Sequence, residues 1–228
     1  MTSPRGPEGV DTPGTRKGRA LATRRRMLKA AYDLICDVGY AATTMTAIAE
    51  RAGVAEQTLY FTFRNKVGIV NEILHAVVGG FEQWTPTLDL DVRRDHQATA
   101  RVEFPWFVPF EAEPDARRAL ALYVDGSVEI FCRAGPLLAA VGGLGLPELQ
   151  PTLANSEGLR SEASLIIVRA LKDKGRGLRK GLTVPRAADI FHVLSSPQLF
   201  HQMTAARGWS TAQARAWLVQ LLAEQLLA

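Results

Sequence analysis

Thr44-Met45-Thr46-Ala47-Ile48-Ala49-Glu50-Arg51-Ala52-Gly53-Val54-Ala55-Glu56-Gln57-Thr58-Leu59-Tyr60-Phe61-Thr62-Phe63 contains two short apolar-periodic segments parted by a glycine. Thr43 and Thr44 offer an N-cap to the first, in which Met45, Ile48, Ala49 and Ala52 share one face before Gly53 stops the pattern. The second runs on from Val54 through Phe61. Two short helices crossing steeply need a small residue where their backbones meet, and a residue tolerant of positive φ in the turn. Ala49 and Gly53 meet those needs, while Ile48, Ala52, Val54 and Leu59 are spaced to hold the second helix against the first. The stretch reads as a helix-turn-helix.

Upstream of it, Leu21, Met27, Leu28, Ala31, Leu34, Ile35 and Val38 recur at helical spacing ahead of Gly39, so a first helix is expected from about Ala20. Residues 1–20 carry Pro4, Pro7 and Pro13 and almost no large apolar side chain. They cannot offset the entropy of ordering and are expected to form a mobile basic arm. Downstream, Asn65 is placed to cap a longer helix whose Val67, Ile69, Val70, Ile73, Leu74, Val77 and Val78 form an apolar stripe. A helix-turn-helix domain is thus expected over 21–66, followed by a connecting helix over 67–84 that opens a second helical domain reaching residue 228.

Pro86, Pro105, Pro109 and Pro114 interrupt residues 85–114, where loop with one or two short helices is expected. Helical pattern then runs from Asp115 to about Ala134, and again over 147–172 with an interruption near Asn155. Pro185 suits the first turn of a further helix. Ser196 would cap another, ended by Gly208, and Ser210 the last. No useful period-two alternation occurs, so the fold class is all-α, with an N-terminal three-helix domain followed by a larger helical one.

Charge points in the same direction. The 228 residues are 47% hydrophobic with a formal net charge of +4. Residues 1–80 hold eleven Lys or Arg against seven Asp or Glu, whereas residues 81–228 hold sixteen of each. The cationic excess therefore lies around the helix-turn-helix, which is the footprint of polyanion contact. No run of eighteen apolar residues occurs and the N-terminus has no apolar stretch suited to a signal peptide, so a cytoplasmic protein without a membrane partner is expected.

Leu59-Tyr60-Phe61-Thr62-Phe63-Arg64-Asn65-Lys66 sets aromatics and a cation just beyond a very short second helix. With it, the stretch from Thr23 to about Leu74 resembles, without a gap, the DNA-binding domain of the TetR/AcrR family of transcriptional regulators. Ser196-Pro197-Gln198-Leu199-Phe200, continuing through Gly208-Trp209-Ser210 to Trp217-Leu218, is similar to the C-terminal end of many members. The resemblance implies that the helix from Ala55 enters the major groove, that Thr44, Thr46, Tyr60 and Lys66 reach phosphates, and that Arg24 and Arg25 lie along the DNA backbone. Residue chemistry agrees with it: Gln57 suits bidentate pairing with adenine and Glu56 acceptance from cytosine N4, each worth roughly 1–3 kcal/mol of discrimination. Thr58 suits base or backbone, and Glu56 equally suits a solvated charge at a helix N-terminus. Ala55 departs from the family habit of Ser or Thr at that cap, an interaction worth about 1 kcal/mol.

The resemblance further implies a homodimer built through the last two major helices and an inverted-repeat operator with half-sites about one DNA turn, roughly 34 Å, apart. It implies a repressor released by a small-molecule effector. Trp106, Phe107, Phe110, Tyr123, Ser127 and Phe131 are candidate lining residues for a largely apolar ligand, although an aromatic stripe at helical spacing is more often plain core than pocket. A transcriptional activator with the same DNA-binding domain, or a helical dimer binding nucleic acid non-specifically through its basic arm, are the alternatives.

Other chemistry lacks a pattern. Cys36 and Cys132 belong to no disulfide or metal-spaced motif and read as small buried apolar residues, with a redox-sensing role as the alternative. His75, His96, His192 and His201 show no ligand spacing, and Gly142-Gly143-Leu144-Gly145 is followed by no Lys-Ser or Lys-Thr. Neither a metal, a cofactor nor an enzyme activity is expected.

Overall fold

Thr15 starts the first helix. In the computed structural model, which describes residues 15–86, 104–142 and 145–228, its side chain accepts a hydrogen bond of 3.0 Å from the Gly18 amide and opens α1 (Arg16–Val38). The expected arm at 1–20 is corrected accordingly: residues 16–20 are helical, because Thr15 supplies a cap and Leu21 anchors the next turn against the core. Residues 1–14 lie outside the described residues.

Thr44 caps α2 (Met45–Ala52) by accepting from the Ala47 amide, and Gly53 closes it in the left-handed conformation with φ 65°. A residue with a Cβ would be strained there. α3 (Glu56–Phe63) follows at once, then α4 (Lys66–Gly79), capped by the Asn65 side chain. Leu28 and Ile35 of α1, Ile48 of α2, Leu59 of α3 and Ile69 and Ile73 of α4 are each 0% exposed and share one core. Such a side chain contributes roughly 1.5–3 kcal/mol by burial. Between α3 and α4, Arg64 takes φ 66°, the one positive-φ residue other than glycine among the described residues. The Asn65 amide spans it to the Phe63 carbonyl at 2.8 Å, a tight three-residue turn that folds α4 straight back against α3.

A second core gathers α5 (Phe107–Ala112), α6 (Ala116–Gly142), α7 (Gln150–Lys172), α8 (Val184–Leu194), α9 (Pro197–His201) and α10 (Thr211–Leu226). A π-helical turn, Gln202–Ala206, carries α9 onward to Gly208, and Ser210 with Gln213 forms a reciprocal capping box for α10. Lys174 is buried between these elements, its Nζ donating to the Glu111 and Glu113 carbonyls at the end of α5. A lone antiparallel bridge joins Leu178 to Leu227, and no longer strand occurs among the described residues.

α6 ties the two cores together. Its first part, with Leu120, Val124 and Phe131, lies in the second core, whereas Ala134, Leu137 and Val141 lie in the first. The expected stop near Ala134 is thus corrected: α6 runs through Gly135-Pro136, because Leu137 and Val141, 0% and 1% exposed, are drawn into the first core. Gly135 also lets α9 approach; a Cβ there would stand 2.6 Å from His201 Cβ. Tyr32 Oη donates to the Arg133 carbonyl at 2.9 Å and Arg133 Nε to the Val77 carbonyl at 2.8 Å, so α1, α4 and α6 are stitched at one place. The interruption expected near Asn155 is absent, since Asn155 is exposed on α7 and competes with no buried backbone group. No described helix is long and apolar enough to cross a membrane.

Candidate nucleic-acid interface

α3 divides its residues cleanly. Leu59 and Phe63 face the core, and Gln57, Thr58, Tyr60 and Phe61 face outward. Residues spaced by four along a helix lie on one side, so Gln57 and Phe61 together form the centre of the outward face. Ala55 sits at the N-cap with no side-chain hydrogen bond, leaving the first amides of α3 uncapped from within. Glu56 is half-buried and its Oε2 accepts from Thr46 Oγ1 at 3.0 Å, which pins α3 to α2. Thr44 is exposed and engaged in its own capping bond.

The cations named from the sequence are placed differently from one another. Arg24 forms a two-pronged ion pair with Glu72 of α4, with Nε at 2.9 Å from Oε2, and its guanidinium lies 5.3 Å from the centre of the Phe63 ring and 5.6 Å from that of Trp84. Arg25 Nε donates to the Trp84 carbonyl at 2.8 Å. Lys66 Nζ donates to the Tyr40 and Thr43 carbonyls at 2.6 and 2.8 Å and stands 4.1 Å from the centre of the Tyr40 ring. Burial lowers its pKa, opposed by Glu148. All three therefore bind the chain's own framework: Arg24 and Arg25 hold α1 to α4 and the turn beyond it, and Lys66 closes the α1–α2 connection.

Arg16, Lys17 and Arg19 line, together with Arg24, a groove of about 590 Å³ whose other wall includes Thr58 and Thr62 of α3. The place of Arg16, Lys17 and Arg19 on a helix is not signalled by periodicity, because the helical register upstream of Leu21 rests on a single cap, Thr15. Phe61, 92% exposed, is a further outward residue of α3. Its spacing of four from Gln57 was the available signal.

In the second core, Trp106, Phe107, Phe110 and Tyr123 form one aromatic cluster. The Trp106 ring meets Tyr123 edge-on with centres 5.3 Å apart, and a Cβ on Gly126 would stand 2.0 Å from the indole. Phe131 pairs separately with Phe200, at 5.5 Å between centres. Phe107, Phe110, Phe131 and Ser127 are buried. Desolvation raises the Tyr123 pKa, offset by hydrogen bonds with Ser195 and Ser127. Trp106 Nε1 is the one buried side-chain nitrogen or oxygen without a partner among the described residues.

α8 and α10 leave an apolar surface outside this core. Val193 is 63% exposed, and with Ile190, Leu194 and Leu221 it lines a shallow groove bordered by Arg186, Asp189 and Gln225. Trp209 and Trp217, in edge-to-face contact, add to it. Behind it, Glu157 Oε1 meets both Arg160 Nη2 at 2.8 Å and His192 Nε2 at 2.7 Å. Cys36 is half-buried and Cys132 exposed on α6; the expectation of a buried Cys132 is corrected, since it lies a helical step round from the buried Phe131. His96 lies outside the described residues.

Residues 27–73 match the model of the tetR family of bacterial regulatory proteins. Over 52 residues the chain is 46% identical to the HTH-type transcriptional regulator YvkB of Bacillus subtilis, a match covering 23% of this chain and 28% of that protein. Over 48 residues it is 42% identical to YdeS of the same organism, covering 21% and 24%. The chain thus spans about a quarter of the length of these curated relatives. Among solved structures it is similar to NalD of Pseudomonas aeruginosa, the secondary repressor of the MexAB-OprM multidrug efflux pump, with TM-score 0.63 and 18% identity over 92% of this chain and 97% of that one. FadR of Bacillus subtilis in complex with stearoyl-CoA gives TM-score 0.64 and 16% identity over 86% and 96%. A regulator from Saccharomonospora viridis in complex with choline gives 0.60 and 18% over 91% and 98%. At these identities the structural likeness shows the shared fold.

Proposed function

We propose that this chain, whose residues 27–73 match the model of the tetR family of bacterial regulatory proteins, is a dimeric transcriptional repressor released from an inverted-repeat operator by a small, largely apolar effector. The observation that carries the reading is the outward face of α3, where Gln57, Thr58 and Tyr60 are exposed while Leu59 and Phe63 anchor the helix from behind. Gln57 supplies base readout and Tyr60 a phosphate contact. Arg16, Lys17 and Arg19, in the groove that Thr58 and Thr62 also line, supply contacts to the DNA backbone. Helical residues 16–20 join residues 21–66 as the DNA-binding unit, and residues 67–228 form the effector and dimerisation domain.

The apolar surface of α8 and α10 supports a homodimer, since a second copy would cover Val193 and Trp217. The relatives solved with stearoyl-CoA and with choline support an effector site in the helical domain. Here the cluster around Trp106 and Tyr123 favours an apolar or aromatic molecule. Such a ligand acts by binding the DNA-incompetent dimer better than the competent one. A cytoplasmic protein without catalytic activity goes with this reading.

Selection of duplexes from a randomised pool, followed by fluorescence anisotropy, tests it. A palindromic consensus bound in a salt-sensitive manner is the expected result, with Gln57→Ala weakening the consensus far more than random DNA. Equal binding of all duplexes would instead favour non-specific attachment through the basic groove.

A further inference from the structure

Phe61 exposes 92% of its surface, more than any other large apolar side chain among the described residues. It follows Gln57 by four residues on α3, about 40° further round the helix axis. Leu59 and Phe63, on the opposite side, are 0% and 4% exposed. An apolar ring therefore stands at the centre of the outward face, beside the amide that the proposed function assigns to base reading.

We propose that Phe61 is a specificity-determining residue that reads thymine, its ring packing on the 5-methyl group of a thymine close to the base contacted by Gln57. The inference rests on α3 being the recognition helix. Phe61 has no donor or acceptor, so neither a phosphate nor the hydrogen-bonding edge of a base offers it a partner. What the major groove offers an apolar side chain is the thymine methyl. Tyr60, 47% exposed and carrying a hydroxyl, is suited to the phosphate alongside. Side chains four apart on a helix stand about 5–6 Å from each other, and base pairs stack about 3.4 Å apart along a strand. The thymine read by Phe61 accordingly lies within about two base pairs of the base read by Gln57.

Replacing thymine by deoxyuridine deletes the methyl group and leaves the pairing edge unchanged. The test uses the full chain and the duplex selected from a randomised pool. Deoxyuridine is placed at each thymine of the consensus in turn, and affinity is measured for the wild type, Phe61→Ala and Phe61→Leu. At one position per half-site the wild type should lose about three- to fourfold in affinity, the change corresponding to ~0.8 kcal/mol per methyl-sized group at ~1.4 kcal/mol per decade. Phe61→Ala should bind both forms alike, and Phe61→Leu should keep part of the difference. Because the side chain is exposed, neither variant should change the melting temperature. Wild-type binding indifferent to every deoxyuridine, or Phe61→Ala retaining the difference, overturns the proposal. Failure of the pool to yield any consensus is a distinct result, reached before deoxyuridine is introduced, and it removes the recognition-helix reading itself.

Discussion

Arg24 of α1 grips both oxygens of the Glu72 carboxylate of α4 while its guanidinium lies near the rings of Phe63 and Trp84. Their side chains are 28% and 19% exposed, so the pair is partly sheltered from water. Arg24→Ala and Glu72→Gln should each lower stability by about 1–3 kcal/mol, with a coupling energy in the double-mutant cycle. Thermal melts measure the loss, at about 2–4 °C per kcal/mol for a chain of this size. The slope of log affinity against log salt should stay unchanged in Arg24→Ala. A slope lowered by about 0.9 with an unaltered melting temperature would instead make Arg24 a phosphate contact.

Ala55 leaves α3 without a side-chain cap. Ala55→Ser restores an acceptor for the first amides and should raise stability by about 1 kcal/mol. If free α3 frays at that end, the same variant also tightens DNA binding by removing part of the ordering cost. Differential scanning calorimetry, with anisotropy on the selected duplex, checks both; a lowered melting temperature would show the new hydroxyl to be out of place.

Gly68 and Gly79 lie on the same helix but in opposite circumstances. A Cβ at Gly68 would stand 2.3 Å from the Phe63 carbonyl oxygen, whereas at Gly79 nothing lies within 4 Å. Gly68→Ala should therefore push α4 away from α3 and destabilise the domain by several kcal/mol, on the order of an overpacked core. Gly79→Ala should be neutral or stabilising by up to about 1 kcal/mol. Urea denaturation of the two variants separates them.

Arg160 holds the Glu157 carboxyl below the usual carboxylate range, chiefly by hydrogen bonding, against a burial effect that raises it; His192 lowers it further. With the folded value depressed, the unfolded chain binds more protons in acid. The stabilising contribution is therefore present above pH 4.5, the ordinary value, and lost as pH falls through the lowered one. Glu157→Gln should lower the melting temperature at neutral pH and flatten its fall below that point. Melts taken as pH is lowered would contradict this if wild type and variant kept a constant offset.

The local order of α1–α4 and of the start of α10 was legible along the chain. Thr44, Gly53, Asn65 and Ser210 act within three or four residues of themselves, so their capping and turn roles follow from sequence spacing alone. The outward placement of Gln57 and inward placement of Leu59 follow equally from helical period. What only the tertiary structure decided is how charges and faces are used by partners distant in sequence. Glu72 claims Arg24 across 48 positions, and the Tyr40 and Thr43 carbonyls claim Lys66 across 26 and 23, so cations that look alike in the sequence divide into framework and surface. α6 continues past Pro136 for the same reason: burial of Leu137 and Val141 in a core formed mainly by the first 80 residues outweighs a local helix breaker. Local propensity amounts to about 1 kcal/mol or less for most residues and about 3 kcal/mol for an interior proline, and at Pro136 desolvation and long-range packing, summed over many contacts, override it.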